Sequence, residues 1–216
     1  MTPARLIIVI AALQYRGSVM RRVLLVGIVV VVIVVAVIAY YIIGHNLASK
    51  DPLDPLRNVL SGAPNALTLT STSLSTESTI PKQFTCDGAD KSPPLSWSRG
   101  PEGTVSYAVL MYDPDAPKGT FYHWVIYNIP PNVTSLPEGV PKTFKTSFGL
   151  QCINDFRRYG YGGPCPPHGS THRYVFVVLA LDTKLNLPSN ADARAFLNAV
   201  KGHVLAYGAL VVSYGH

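Results

Sequence analysis

The stretch Val105–Ile129, VSYAVLMYDPDAPKGTFYHWVIYNI, decides the fold. Val105–Tyr112 and His123–Ile129 are runs of β-branched and aromatic residues, the composition of strands. Between them Asp113-Pro114-Asp115-Ala116-Pro117 cannot continue a ladder, because proline has no N–H to give and fixes its own φ. The reading is two strands joined by a stiff turn. Working outward, Leu67–Thr70, His172–Leu181 and Gly208–Tyr214 have the same character. Only Ala191 to about Ala206 reads as a helix, opened by Pro188-Ser189-Asn190 and carrying Ala195, Phe196, Ala199 and Val200 at helical spacing. Five strands, one late helix and no internal repeat predict a mainly β domain, an antiparallel two-sheet β-sandwich with one or two short helices. The segment Pro130–Pro167 is rich in turn residues, and connections that long in compact domains usually build a site.

The composition is uneven. Of 216 residues 48% are hydrophobic and only 14% charged, with a net charge of +6. Four of those six positive charges precede Leu67, so the remainder is nearly neutral and has no charge run that would suit nucleic acid. Val23–Ile43 contains no charged residue. At 1.5 Å per residue that length suffices for a bilayer core of about 30 Å, and it exceeds the apolar region of a cleaved signal peptide. The sequence thus predicts a transmembrane helix over 23–43 preceding the β domain. Arg16, Arg21 and Arg22 before it predict a cytoplasmic segment over 1–22. A stalk over 44–66 and a ligand-binding domain over 67–216 outside the cell membrane complete the expected organisation.

Two clusters carry chemistry. The first is Asp113 and Asp115 with His123 at the start of the following strand. The second is Gly160-Tyr161-Gly162-Gly163-Pro164-Cys165-Pro166-Pro167, followed by His172-Arg173-Tyr174 entering a strand. Successive strand side chains alternate faces, so His172 and Tyr174 point to one side and Arg173 to the other. Either cluster alone reads equally well as a turn or a structural histidine. Together they give carboxylates that fix imidazoles, and imidazoles and a phenol that donate to the oxygens of an anion.

These residues resemble the phosphatidylethanolamine-binding protein family, which includes the Raf kinase inhibitor proteins. The resemblance rests on Tyr112 to Lys118, His123-Trp124, Asn128-Ile129-Pro130, the GYGGPCPP run and His172-Arg173-Tyr174. Phe84–Gly88, Ser92–Trp97, Thr134–Gly139, Asn154-Asp155-Phe156 and Gly202–Ala206 are similar to its bacterial and archaeal branch. The resemblance spans roughly 67–216. It implies a β-sandwich with a small anion pocket at one end, lined by Asp113, His123, Gly163, Pro164, His172 and Tyr174 with Asp115 beside it. It further implies ligands such as phosphate or the phosphatidylethanolamine head group. The sequence departs from the family pattern around Cys152 and in the four residues separating Pro167 from His172.

Three cysteines, Cys86, Cys152 and Cys165, allow one disulfide and one thiol. Cys152 with Cys165 and Cys86 with Cys165 are both open. No two cysteines have the spacing of a structural zinc site, and Asp113, His123 and His172 match no zinc pattern. There is no Gly-x-Ser-x-Gly elbow and no phosphate-binding Gly-rich loop with Lys-Ser/Thr. No cofactor is called for. The function expected is a non-enzymatic, membrane-tethered module for an anionic small molecule or phospholipid head group. The alternative, drawn from the family, is inhibition of a serine protease or regulation of a kinase through a protein–protein surface.

Overall fold

The structure, a computed structural model, describes residues 30–40 and 51–215, and the chain divides into two units between Asp51 and Pro52. In the first unit a helix, α1, covers residues 30–40. Among the described residues no helix is long and apolar enough to cross a membrane. The expected transmembrane helix over 23–43 is thereby corrected, with 23–29 and 41–43 lying outside the described residues.

The second unit is built on two antiparallel sheets. The strands are β1 Leu69–Thr70, β2 Leu95–Trp97, β3 Ser106–Asp113, β4 Phe121–Ile129, β5 Ser135–Leu136, β6 Leu150–Gln151, β7 Thr171–Leu181 and β8 Val204–Gly215. The smaller sheet runs β1-β2-β5 and the larger β6-β4-β3-β7-β8. All eight residues of β3 are buried, because the larger sheet is covered on both faces. On one face Val109, Met111, Trp124, Phe176 and Val178 meet Leu69, Leu95, Trp97 and Leu136 of the smaller sheet. On the other, Leu110, Tyr112, Val125, Val175 and Val177 lie under the helix α2, Ala193–Ala199, and under Leu56, Val59 and Leu60. Burial on both faces explains why the central strands read as continuous apolar runs rather than as alternation.

Two further boundaries differ from expectation. The described part of the expected stalk, residues 52–66, lies on the domain. A 3-10 turn at Asp54–Leu56 buries Leu56 completely, and the Tyr112 hydroxyl donates to the Pro52 carbonyl at 2.8 Å. Leu56, Val59 and Leu60 fall on one side of a turn, and each contributes about 1.5–3 kcal/mol on full burial. The helix expected to reach Ala206 stops at Ala199. Asp192 caps it by accepting from the Ala195 amide at 2.9 Å, and Gly202, at φ +80°, takes the left-handed conformation that ends helices. From Val204 the chain pairs with β7 along its length, Val204 opposite Leu181 and Tyr214 opposite His172.

Candidate functional site

Asp113 ends β3, His123 is near the start of β4, His172 and Tyr174 begin β7, and Tyr214 ends β8, so one end of the larger sheet gathers them. The alternation on β7 is as expected: Tyr174 lies in the inter-sheet core, while Arg173 turns away to Asp115. His123 reaches the same side by a device the sequence does not reveal. Met111 pairs with Trp124 and the next residue, Tyr112, with Tyr122, so His123 is the extra residue of a β-bulge. A bulge lets two neighbouring side chains share a face. Trp124 stays in the core, and the His123 ring meets the Tyr174 ring edge-on, 5.3 Å between centroids.

Both imidazoles are held at Nδ1. His123 Nδ1 lies 2.7 Å from the Gly162 carbonyl, whose amide in turn donates to the His123 carbonyl at 3.0 Å. A carbonyl only accepts, so this nitrogen carries the hydrogen. Burial, with 3% of the residue exposed, pushes the His123 pKa down to about 4, against the weaker upward pull of the Gly162 and Gly163 backbone. The ring is neutral at pH 7, and its Nε2 is a lone-pair acceptor. His172 Nδ1 lies 2.7 Å from the Asp113 carboxylate. Burial raises the Asp113 pKa, opposed by hydrogen bonds to His172 and to the Asp115 amide.

Among the described residues, the enclosed side-chain N and O atoms lacking a partner are Trp97 Nε1, Tyr127 Oη and Tyr174 Oη. Burial pushes the Tyr174 phenol well up from its ordinary value, with the Cys165 amide acting weakly the other way. It is therefore a hydroxyl donor at any ordinary pH, buried in the domain without an acceptor.

The loop at this end is clamped from several directions. Cys86 and Cys165 form the disulfide, 5.5 Å between Cα atoms, which resolves the open pairing and leaves Cys152 a free, buried thiol pushed up to about 12. The Gly163 amide donates to Asp90 at 2.6 Å, the Tyr161 hydroxyl to the Phe84 carbonyl at 2.7 Å, and the Cys86 amide to the Pro164 carbonyl at 3.1 Å. A Cβ on Gly163 would lie 2.5 Å from the Phe84 carbonyl oxygen, so glycine is required there. Of the expected residues, Asp113, His123, His172 and Tyr174 come together, and Gly163 and Pro164 belong to the clamped loop. Asp115 does not turn into the site. Arg173 occupies both its oxygens, at 2.8 and 2.6 Å, and lowers its pKa.

Sequence reasoning missed several contributors. Phe121 and Phe156 pack on the His123 ring at 5.0 and 5.3 Å, and Tyr214 donates to Asp87 at 2.5 Å. Alternation along β8 could have placed Tyr214 opposite His172; nothing local in the sequence pointed to Phe156 or to the Gly162 carbonyl. Among the described residues no three His, Cys, Asp or Glu are grouped to hold a metal ion.

A family model, phosphatidylethanolamine-binding protein, matches residues 70–215. The chain belongs to the phosphatidylethanolamine-binding protein family. Among curated relatives, a UPF0098 protein of Pyrococcus horikoshii is 47% identical over 139 residues, 62% of this chain and 70% of that protein. A UPF0098 protein of Aquifex aeolicus is 48% identical over 137 residues, 62% of this chain and 80% of that one. Among solved structures, Escherichia coli YbcL, described as a member of the mammalian PEBP family, superimposes with a TM-score of 0.66 at 35% identity, covering 69% of this chain and 98% of that one. A PEBP homologue from Chlamydia trachomatis gives 0.64 at 36% identity, covering 70% and 99%. The matched span contains every residue of the site at this sheet end.

Proposed function

We propose that this family member is a non-enzymatic binding module that holds a phosphate-type oxyanion, free or as a phospholipid head group, at the sheet end formed by Asp113, His123, His172 and Tyr174. One observation carries the reading. Two buried imidazoles are each fixed at Nδ1, which leaves Nε2 of both for a guest, beside a buried Tyr174 hydroxyl that lacks an acceptor. An unsatisfied buried hydroxyl costs about 1–3 kcal/mol, and an oxyanion supplies the missing acceptor. Fixed polar groups at a small site bind without reorganising, which favours affinity for a small guest.

The cysteines offer no thiolate nucleophile. Cys86 and Cys165 are bonded to each other, and burial keeps Cys152 protonated. The disulfide also suits an oxidising compartment. The test is calorimetric titration of phosphoethanolamine into the full chain, with His172→Ala and Asp113→Ala in parallel. Saturable one-to-one binding that both substitutions abolish is expected. A folded wild type that gives no heat, or binding indifferent to both substitutions, overturns the reading.

A further inference from the structure

We propose that Asn132 is a modification site, its side-chain amide the acceptor of an N-linked oligosaccharide, at the end of the larger sheet opposite Asp113 and His172. This is independent of what the other end binds.

Sequence and fold meet at one triplet. Asn132-Val133-Thr134 is an Asn-x-Thr acceptor without proline in the middle position, and no other asparagine of the chain starts an Asn-x-Ser/Thr triplet. The triplet lies in the connection from β4, which ends at Ile129, to β5, which begins at Ser135. There the Val133 amide donates to the Pro130 carbonyl at 2.9 Å, closing a turn with Pro131 and Asn132 at its central positions. Pro130 and Pro131 fix φ on the approach to Asn132. On the far side the Thr134 carbonyl accepts from the Trp97 amide at 2.9 Å, which ties that residue to β2.

An exposed asparagine in a turn needs no explanation of its own. What sets this one apart is the threonine two residues on and the way the triplet is held. Val133 packs against the core between the sheets, whereas Asn132 is exposed and Thr134 partly so. The middle residue anchors the turn while both members that an acceptor needs stay within reach of solvent, so a sugar on Asn132 displaces no packed side chain. Two further observations agree. The Cys86–Cys165 bridge suits an oxidising compartment, and acceptor triplets of this kind serve on surface loops of secreted proteins. Ile129 stands roughly 20 Å along β4 from His123, at about 3.4 Å per residue, so a glycan at residue 132 leaves the other end of the sheet clear.

The co-substrate is a polyprenyl diphosphate-linked oligosaccharide, delivered by a transferase. Transfer forms the bond from Asn132 Nδ2 to the anomeric carbon and breaks the bond from that carbon to the diphosphate oxygen. The polyprenyl diphosphate leaves with the electron pair, the amide gives up one proton, and nothing is oxidised or reduced.

Peptide mass spectrometry of the full chain, purified from the cells that make it, tests this. The tryptic peptide 119–142 should be heavier than its sequence mass by whole sugar residues, with fragment ions placing the addition on Asn132. Asn132→Gln and Thr134→Ala, made in the same cells, should lose the added mass completely, and Thr134→Ser should keep it. The wild-type peptide at its sequence mass overturns the assignment. So does an added mass that fragments to Thr134 or Ser135, or one that survives Thr134→Ala. If a variant does not fold, the wild-type peptide decides alone.

Discussion

Gly163→Ala tests how tightly the loop at the site is held. A Cβ there would stand 2.5 Å from the Phe84 carbonyl oxygen, 2.8 Å from Thr85 Cα and 3.0 Å from Asp90 Oδ1. Two of those atoms are backbone. They are not free to yield, since the Cys86–Cys165 bridge and the Tyr161–Phe84 and Cys86–Pro164 hydrogen bonds hold that segment against the loop. Overpacking of this kind costs about 1–3 kcal/mol. The displaced Gly163 amide would also loosen its bond to Asp90, so the upper part of that range is expected. For a domain of this size each kcal/mol lowers Tm by about 2–4 °C, and thermal unfolding followed by circular dichroism should show a fall of roughly 5–10 °C. Gly162→Ala is the control: the atoms nearest its Cβ are side-chain atoms, the Phe156 ring at 2.5 Å, on a half-exposed residue, and the Asn154 amide at 3.3 Å. The ring swings aside, and a loss of less than about half the Gly163→Ala value is expected. A Gly163→Ala melting temperature within 1 °C of wild type would refute the account of a clamped loop.

Other expectations follow from separate parts of the molecule. Leu56→Ala removes a fully buried side chain from residues 52–60 and should cost about 2–5 kcal/mol in urea unfolding, whereas a loose stalk would make it silent. His123 has a lowered folded-state pKa, so the unfolded chain binds the additional proton; the stability it contributes is intact above pH 6.5 and is lost as pH falls to about 4. That shift amounts to about 3 kcal/mol, and urea unfolding of His123→Gln should be less sensitive to acid than the wild type by that amount. Thiol labelling of the denatured, unreduced protein should count one sulfhydryl, Cys152. Replacing Cys86 and Cys165 by Ala should cost about 4 kcal/mol for a separation of 79 residues.

The parts of the fold legible in the sequence are those set by local composition. The strands from Ser106, Phe121 and Thr171 lie where β-branched and aromatic runs predict them, because no competing local preference opposes them. Alternation correctly turned His172 and Tyr174 to one face. It could not place His123, because a bulge changes the count without leaving a mark in the residues. Val204–Ala206 looked helical because a helix preceded it; pairing with β7 decided otherwise, and Gly202 is the local sign of the break. Leu56, Val59 and Leu60 were hidden among prolines and charges, although their spacing is that of one buried side. The apolar run over 23–43 predicted a spanning helix, and among the described residues no helix is long and apolar enough to be one. The disulfide partner of Cys165 depended on a contact 79 residues away, beyond the reach of spacing arguments.

The central claim is that one sheet end holds an oxyanion between two histidines and a tyrosine. A crystal structure of the full chain grown at pH 5.5 with methyl phosphate tests it most directly. The account predicts tetrahedral density within hydrogen-bond distance of His123 Nε2, His172 Nε2 and Tyr174 Oη, with both Nδ1 contacts unchanged. Well-ordered side chains at that end with the ligand bound elsewhere, or with His123 turned away from the Gly162 carbonyl to meet it, would contradict the account.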